Sequence, residues 1–233
     1  MSRAQKTFFN WSSGKDSAMA LHALRQNPEY SVEALLTSVN AAHDRVSMHG
    51  VRRELLAAQA KAIGLPLTTI ELPETPDMAT YESAMQQAVG NLRSGGFTTA
   101  AFGDIFLEDL REYREQKLAV QGLAAVFPLW KRDTRELMEH FVSTGFQAVV
   151  ACVDTRVLDA AFAGRLIDRQ FLHDLPAGVD PCGENGEFHT FCFAGPVFHH
   201  AIPIRIGERV QRSYPAPAGQ GSAEFCFCDI ALA

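Results

Sequence analysis

The chain has 233 residues, 47% of them hydrophobic, which allows one large domain or two small ones around a sizeable buried core. Its formal charge is −6 and its pI is about 5.7, and no stretch carries five like charges in a row, so a large nucleic-acid-binding surface is disfavoured. The five cysteines include no C-x-x-C pair, and the sequence shows neither a signal peptide nor the roughly 20 apolar residues of a membrane-spanning helix. We therefore expect a reducing, cytoplasmic location and no membrane segment.

Short apolar runs alternate with helical patterns along the first two thirds of the chain. We predict strands over residues 6–11, 32–39, 67–72, 99–102, 125–127 and 147–152. Helices are predicted between them, over residues 17–26, 51–63, 78–92, 107–122 and 134–144. Because strands that alternate with helices pair in parallel, the pattern predicts an α/β sheet that is buried on both faces.

The pattern changes after about residue 155, where strands predicted over 188–193, 202–206 and 225–232 follow one another without intervening helices. The run FCFC at residues 225–228 is short enough for an edge strand, and residues 214–222 are rich in Pro, Gly and Ala, which indicates a loop. We predict a doubly wound parallel sheet in residues 1–130 and a smaller mixed α+β domain in residues 131–233.

A phosphate-binding loop is predicted between the first strand and the first helix. Unpaired helix amides and the helix dipole favour an anion there, and small residues let the backbone approach phosphate oxygens. Lys15 can neutralise charge, serine hydroxyls can donate hydrogen bonds, and Asp16 makes sense if it holds a divalent cation that the phosphates share. The residues assigned to this loop are Ser12, Ser13, Gly14, Lys15, Asp16 and Ser17.

The letters of this loop exclude several other phosphate-binding motifs. A Walker A loop ending at Lys15 needs Gly at position 9 and Ser or Thr at position 16, where the chain has Phe9 and Asp16. No G-x-G-x-x-G follows a predicted strand, and there is no G-x-S-x-G nucleophile elbow. The structural alternative is a simple helix cap, since Ser and Asp are common caps, but a cap does not require Lys, Gly and repeated Ser together.

A second polar cluster occupies residues 180–190, where Glu184, Glu187 and His189 fall close together. A carboxylate or an imidazole there can orient an amine or ammonia and take its proton. The alternative is a polar hairpin turn with solvated side chains. Cys182 lies in the same cluster, where a packed thiol is a commoner outcome than a nucleophile.

Gly103 and Asp104 follow the predicted fourth strand, at the edge where ligands bind in open α/β sheets. Asp104 is placed to hold Mg²⁺ or ribose, and a cap for the following helix is the equal alternative. Arg111 and Arg114 can reach phosphates from that helix, although a solvated helix face is favoured. His49 belongs to the loop after the second predicted strand, at the same edge.

Residues 12–17, S-S-G-K-D-S, resemble the S-G-G-x-D-S loop of the PP-loop ATP pyrophosphatases, also called adenine nucleotide alpha hydrolases. Over most of its length the chain is similar to the diphthine–ammonia ligase group of that superfamily, and it looks more like the bacterial members. The similarity lies in HGVRRELLAAQAKAIGLPL, FPLWKRDTRELMEHFVSTGFQAVV and CGENGEFHTFCFAGPVF, the last of which resembles the signature C-G-E-G-G-E-[FY]-x-T. Ser13 and Asn185 replace glycines of these motifs, and His189 stands where some members have Glu.

The resemblance implies a HUP-type fold that binds ATP with Mg²⁺ and cleaves it between the α- and β-phosphates. It implies that a carboxylate acceptor attacks the α-phosphate, that pyrophosphate leaves from residues 12–17, and that ammonia displaces AMP from the acyl-adenylate. Residues 180–190 would bind the acceptor opposite ATP. The expected nucleotide ligands are the loop residues with Gly103 and Asp104, the expected metal ligands are Asp16 and Asp104, and the expected catalytic residues are Lys15, Asp16, Glu184, Glu187 and His189.

The resemblance leaves the acceptor open. The group's name implies diphthine on elongation factor 2, whereas some bacterial relatives are thought to act in cobamide salvage. A PP-loop tRNA-modifying enzyme and a nucleotide sensor without turnover are the alternatives, but the former usually carries paired cysteines and basic extensions, and the intact Lys15/Asp16 pair disfavours the latter. The expected partners are ATP, ammonia and a carboxylate-bearing protein or small molecule, with nucleic acid disfavoured and a homo-oligomer left open.

Overall fold

The computed structural model describes residues 3–47, 50–215 and 222–233, so His49 and residues 216–221 of the predicted loop over 214–222 lie outside the described residues. The strands are β1 (Gln5–Asn10), β2 (Tyr30–Asn40), β3 (Arg45–Val46), β4 (Leu67–Leu72), β5 (Thr99–Ala101), β6 (Ala124–Val126), β7 (Gln147–Asp154), β8 (Phe188–Ala194), β9 (Ile204–Pro215) and β10 (Ser222–Leu232). The helices are α1 (Lys15–Arg25), α2 (Arg53–Ile63), α3 (Met78–Ser94), α4 (Glu108–Val120), α5 (Thr134–Ser143) and α6 (Arg169–Asp174), with a 3₁₀ turn at Ala160–Phe162.

The first sheet is doubly wound and almost entirely parallel. β2 pairs in parallel with β1 and β4, β1 pairs with β5, and β5 pairs with β6, while the two-residue β3 runs antiparallel to the end of β2. The chain therefore builds outward from β1 through β2 to β4, and then crosses to the other side of β1 for β5 and β6. This confirms the predicted fold class and places the change of direction between β1 and β5, where open α/β sheets bind ligands.

Both faces of the first sheet are buried, because successive side chains of a strand point to opposite faces. Phe8 packs in a cluster with Val89 of α3 and Leu118 of α4. Phe9, its neighbour in sequence, packs in a second cluster with Leu21 of α1. The continuous apolar letters of β1 are therefore what a strand needs when helices cover both faces of its sheet.

The second sheet is antiparallel, with the order β8-β7-β10-β9, and it corrects two predictions. Residues 147–152 form part of β7 in this sheet, so the parallel alternation ends after β6 rather than near residue 155. The FCFC run is not an edge, because it lies within the 11-residue β10, which pairs with β7 on one side and β9 on the other. Cys226 and Cys228 are both buried, as alternate residues of an inner strand with one core-facing side are expected to be.

One hydrophobic cluster joins the two sheets, since it contains Phe9 of β1 and Phe191 of β8. The last strand of the first sheet ends at Val126 and the second sheet begins at Gln147. Because the two sheets are separated between these residues, we propose a domain boundary between residues 130 and 131.

Within the described residues, no helix has both the length and the apolar character needed to cross a membrane.

Candidate active site

The loop after β1 has a backbone shape that explains its small residues. Ser13 adopts a left-handed conformation (φ 72°) and is fully buried, at a position where the similar loops have glycine. Gly14 is extended and serves as the N-cap, so α1 begins at Lys15 rather than at the predicted residue 17. Lys15, Asp16 and Ser17 thus form the first helical turn, whose N–H groups have no acceptor inside the helix.

Two of the three serine hydroxyls in the loop bond to one another. The hydroxyls of Ser12 and Ser17 are 2.7 Å apart, and the Ser12 N–H donates to the Ser17 hydroxyl at 3.2 Å. The Gly14 N–H donates to the Ser12 hydroxyl at 3.3 Å. Among the described residues, these donors and acceptors bond only to one another, so an oxyanion can replace those partners.

Strand β8 of the second sheet holds the same loop from the other side. The Cys192 N–H donates to the Ser13 carbonyl at 3.0 Å, and the Lys15 N–H donates to the Thr190 hydroxyl at 3.0 Å. The side-chain amide of Gln59 donates to the Ser13 carbonyl at 2.9 Å. The phosphate loop is therefore shaped by side chains and backbone that are distant from it in sequence.

Lys15 points toward the second polar cluster. Its side chain is only 2% exposed, and its ammonium donates to Asp16 Oδ2 at 2.8 Å and to the Cys182 carbonyl, over the ring of Phe188. Burial alone would lower the pKa of Lys15, but the Asp16 carboxylate and other nearby acidic groups outweigh it and raise that pKa. Lys15 therefore links residues 12–17 to residues 180–190 as a charged group.

Two half-buried carboxylates and a close backbone contact lie at the end of β5. A Cβ on Gly103 would lie 3.0 Å from the Ser17 nitrogen, so only glycine lets this segment approach the loop so closely. Asp16 Oδ1 and Asp104 Oδ2 are buried with no hydrogen-bond partner among the described residues. Burial raises the pKa of Asp104, which Arg114 opposes; at Asp16 burial likewise raises the pKa and Lys15 opposes it.

These two oxygens fit a magnesium ion that is held mainly by substrate. Mg²⁺ commonly takes one or two protein carboxylates and completes its shell with phosphate oxygens and water. The described part of the chain contains no group of three or more His, Cys, Asp or Glu side chains arranged to hold a metal by themselves. Asp16 and Asp104 are thus suited to a metal that arrives with a nucleotide.

Arg111 and Arg114 do not form the solvated helix face that the sequence favours. The Arg114 guanidinium lies 4.4 Å from the centre of the Phe102 ring and donates to Asp104 Oδ1 at 3.3 Å. Arg111 lies over Trp130 at 4.6 Å. A guanidinium is more weakly hydrated than an ammonium, so it can stack on an aromatic ring while it keeps its charge beside a carboxylate.

The turn over residues 180–187 is braced from within by one of its own carboxylates. Glu187 accepts hydrogen bonds from the Asp180 N–H, the Asn185 N–H and the Asn185 side chain, at 2.9–3.0 Å. Burial would raise the pKa of Glu187, but these bonds outweigh it and lower the pKa. Gly183 is left-handed (φ 69°), and a Cβ there would lie 2.8 Å from the Phe188 carbonyl, whereas Asn185 is not left-handed. The glycine-to-Asn change at residue 185 therefore carries no backbone strain.

Glu184 extends from the same turn to the segment that follows β5. Its carboxylate accepts the Ile105 N–H at 3.2 Å. Burial raises the pKa of Glu184 to about 8, and the negative charge of Asp16 adds to the shift while Lys15 opposes it. A carboxyl group that titrates near neutral pH can both take and give a proton there.

His189 and Cys182 lie on either side of Glu184 in the sequence. His189 is half-buried on β8, where burial and the charge of Lys15 lower its pKa to about 4, so the ring is neutral at pH 7. Cys182 is buried and its thiol faces the Thr134 carbonyl at 3.5 Å. Burial raises the pKa of that thiol, which fits the packed residue expected from the sequence rather than a nucleophile.

Two family models match the chain across most of its length. The diphthamide synthase N-terminal domain matches residues 5–123, which include the phosphate loop and Asp104. The diphthamide synthase C-terminal domain matches residues 133–215, which include the whole second cluster. The chain belongs to the diphthamide synthase family. The family predicted from the sequence is thereby confirmed, and ATP use is expected for it.

Sequence similarity to diphthine–ammonia ligases agrees with this membership. The chain is 28% identical over 184 residues to the diphthine–ammonia ligase of Danio rerio, a match that covers 71% of each protein. It is 32% identical over 106 residues to the diphthine–ammonia ligases of Bos taurus and Homo sapiens, which covers 43% of this chain and 39% of each relative. The longest of these matches thus extends beyond the N-terminal half of the chain.

In this member of the diphthamide synthase family, both matched regions contribute residues to the candidate site. Loop residues 12–17, with Gly103 and Asp104, come from the first region; Glu184, Glu187 and His189 come from the second. The sequence did not single out Gln59 or Thr190. A signal for Gln59 was available, because it is a polar residue on the apolar stripe that Leu55 and Ala62 mark on α2. Thr190 gave no such signal, since its contact with Lys15 depends on the tertiary fold.

Proposed function

We propose that this chain is an ATP-dependent ligase that adenylates a carboxylate acceptor, releases pyrophosphate and amidates the acceptor with ammonia. The enzyme class comes from the family: the named relatives are diphthine–ammonia ligases, and the chain is an amide-forming ligase of that kind. The observation that carries the proposal is the junction at Lys15. There a helix N-terminus suited to pyrophosphate meets a turn whose Glu184 titrates near neutral pH.

The nucleotide half of the proposed site uses backbone and small side chains. The first turn of α1, with Gly14 and the hydroxyls of Ser12 and Ser17, binds the leaving pyrophosphate. Gly103 allows close backbone contact with that turn. Asp16 and Asp104 would hold Mg²⁺, which would supply positive charge against the charge that develops on the phosphates.

The acceptor half uses the turn over residues 180–187. The acceptor carboxylate attacks the α-phosphorus, the bond to the bridging oxygen breaks, and pyrophosphate leaves. Ammonia then attacks the acyl carbon, AMP departs with the electron pair of the broken bond, and Glu184 takes the proton that the nitrogen gives up. Lys15 stabilises negative charge at the junction, and Glu187 and His189 shape the turn and strand that present Glu184.

The acceptor class that we propose is a carboxylate on a protein side chain or a small molecule. The relatives are named for diphthine, and a small-molecule acceptor such as a cobamide precursor is the alternative for a bacterial-type member. Arg111 and Arg114 are committed to aromatic rings and to nearby carboxylates. Binding to the phosphate backbone of RNA relies on positive charge, whereas this chain has a formal charge of −6. The proposal therefore does not include a tRNA acceptor.

Product analysis tests the reaction class. Incubation with acceptor, ammonium and ATP labelled at the α-phosphate should give labelled AMP and free pyrophosphate, and an ¹⁸O-labelled acceptor carboxylate should pass one ¹⁸O atom to AMP. Formation of ADP and phosphate would contradict the proposal. Asp16→Asn should lower turnover by a factor on the order of 10³, while Asp109→Asn, an exposed change on α4, should not.

A further inference from the structure

Gln59 is a polar side chain inside the apolar core. It lies on α2, one turn after Leu55 and one turn before Ile63, and it has no exposed surface. A buried amide costs free energy unless each of its polar groups has a partner. The residue therefore occupies a core position for a reason other than packing.

All of the hydrogen-bonding groups of Gln59 are used. Its Nε2 donates to the Ser13 carbonyl at 2.9 Å and to the Cys192 carbonyl at 2.6 Å, and its Oε1 accepts from Trp11 Nε1 at 2.8 Å. Two carbonyl partners on one side and an N–H partner on the other allow only one orientation of the amide. Gln59 thus ties the end of β1, the phosphate loop and β8 together at one point.

The Ser13 carbonyl decides which way the next N–H points. In a planar trans peptide, the carbonyl oxygen and the following N–H lie on opposite sides. Gln59 and the Cys192 N–H both hold the Ser13 carbonyl toward β8, so the Gly14 N–H is turned the other way, to the Ser12 hydroxyl. That side of the loop is the one where Ser12 and Ser17 meet.

We propose that Gln59 is a positioning residue for pyrophosphate binding. It fixes the Ser13–Gly14 peptide so that the Gly14 N–H and the first turn of α1 face the phosphates, and it does not touch substrate itself. The inference rests on the proposed function, because it assumes that this loop binds the β- and γ-phosphates. A loss of Gln59 should therefore weaken ligands that carry a pyrophosphate group and spare those that do not.

Gln59→Met tests this selectivity, since methionine has a similar length, fills core space and removes all three hydrogen bonds. Calorimetry on the full chain with Mg²⁺ would measure ATP, inorganic pyrophosphate and AMP in turn. We expect the affinities for ATP and pyrophosphate to fall at least about tenfold, while AMP changes by less than about twofold. Thr99→Val is the matched control: it removes a buried hydroxyl that donates to Gln5 Oε1 at 2.8 Å, at the opposite end of β5 from Gly103, and should leave all three affinities unchanged.

The outcomes separate this inference from the function on which it rests. Wild-type affinity for ATP and pyrophosphate in the Met variant would overturn the inference, and so would an equal loss for all three ligands, which marks a general structural role. If Gln59→Met does not fold, Gln59→Glu keeps the length and the acceptor for Trp11 and should show the same selectivity; failure of both to fold also overturns it. A wild-type chain that binds neither ATP nor pyrophosphate would overturn the proposed function first, and this inference with it.

Discussion

The two polar loops that meet at Lys15 use similar residues in opposite ways. In residues 12–17, the Ser12 and Ser17 hydroxyls bond to each other, and the backbone is held from outside by β8 and α2. In residues 180–187, two carboxylates turn inward: Asp180 accepts the Cys182 and Glu184 N–H groups, and Glu187 accepts three more bonds. The backbone of the first loop is thus held mainly by its surroundings, and that of the second mainly by its own carboxylates.

The contrast shows that the role of a carboxylate depends on the hydrogen bonds it accepts and on its burial, rather than on its place in a motif. Glu184 and Glu187 are three residues apart, yet burial raises the pKa of Glu184 to about 8 whereas hydrogen bonds lower the pKa of Glu187. Of the two, only Glu184 reaches across to the Ile105 N–H, in the segment that follows β5. Within the second loop, then, the group available for proton transfer is the one that the loop does not use for its own structure.

The largest effect should come from cutting the link between the loops. Lys15→Met leaves the Asp16 carboxylate buried without its cation and the Cys182 carbonyl without a donor. Breaking a buried ion pair from one side typically costs about 3–5 kcal/mol, so we expect the free energy of unfolding in urea to fall by that amount. Lys117→Met removes an exposed pair with Glu82 and should leave the free energy of unfolding nearly unchanged. Equal losses in the two variants would mean that Lys15 does not join the loops energetically.

A smaller effect should separate the two glutamates of the second loop. Because the folded-state pKa of Glu184 is raised, the folded protein holds that proton more tightly than the unfolded chain, so its contribution to stability falls as pH rises from about 4.5 through about 8. Glu184→Gln removes this dependence, and its free energy of unfolding relative to wild type should improve between pH 5 and pH 8. Urea unfolding at four pH values measures the trend.

Glu187→Gln should behave in the opposite way. Its lowered pKa contributes stability above the ordinary range of a glutamate, and that stability is lost only as pH falls through the lowered value. The substitution turns an amide NH₂ toward N–H donors, which should cost about 1–3 kcal/mol at pH 7. Glu139→Gln, exposed on α5, serves as the control with no expected change. Parallel pH trends in the two glutamate variants would remove the distinction between them.

Local patterns predicted the elements well and their long-range pairing poorly. Residues 67–72 were predicted and observed with the same bounds, because an apolar strand before a turn is a local signal. The sheet to which β7 belongs could not be predicted from the sequence. Its partners β8 and β10 are separated from it along the chain, and the periodicity of a strand does not identify the strands with which it pairs. The β10 edge prediction failed for the same reason.

Inside the candidate site, too, local features were predictable from the sequence and long-range contacts were not. The phosphate loop can be predicted from the sequence because its serines, glycine and charged residues are adjacent. The contacts that shape it come from Gln59, Thr190 and Cys192, and the fold alone brings these residues to it. The sequence likewise does not predict that Glu187 stabilises its own turn, because its three hydrogen-bond donors are brought to it by the fold of the backbone.

The smallest effect should come from two left-handed positions, Ser13 in the first loop and Gly186 in the second. Ser13 holds φ 72° with a buried hydroxyl that has no partner among the described residues, so Ser13→Gly should relieve both costs and raise the free energy of unfolding by about 1 kcal/mol. Gly186 is left-handed too (φ 87°), and a Cβ there would meet no atom within 4 Å. Gly186→Ala therefore isolates the backbone term and should cost about 1 kcal/mol. If Gly186→Ala shows that cost while Ser13→Gly gains nothing, the Ser13 hydroxyl must contribute stability of its own, and the first loop would then be braced partly from within, as the second is.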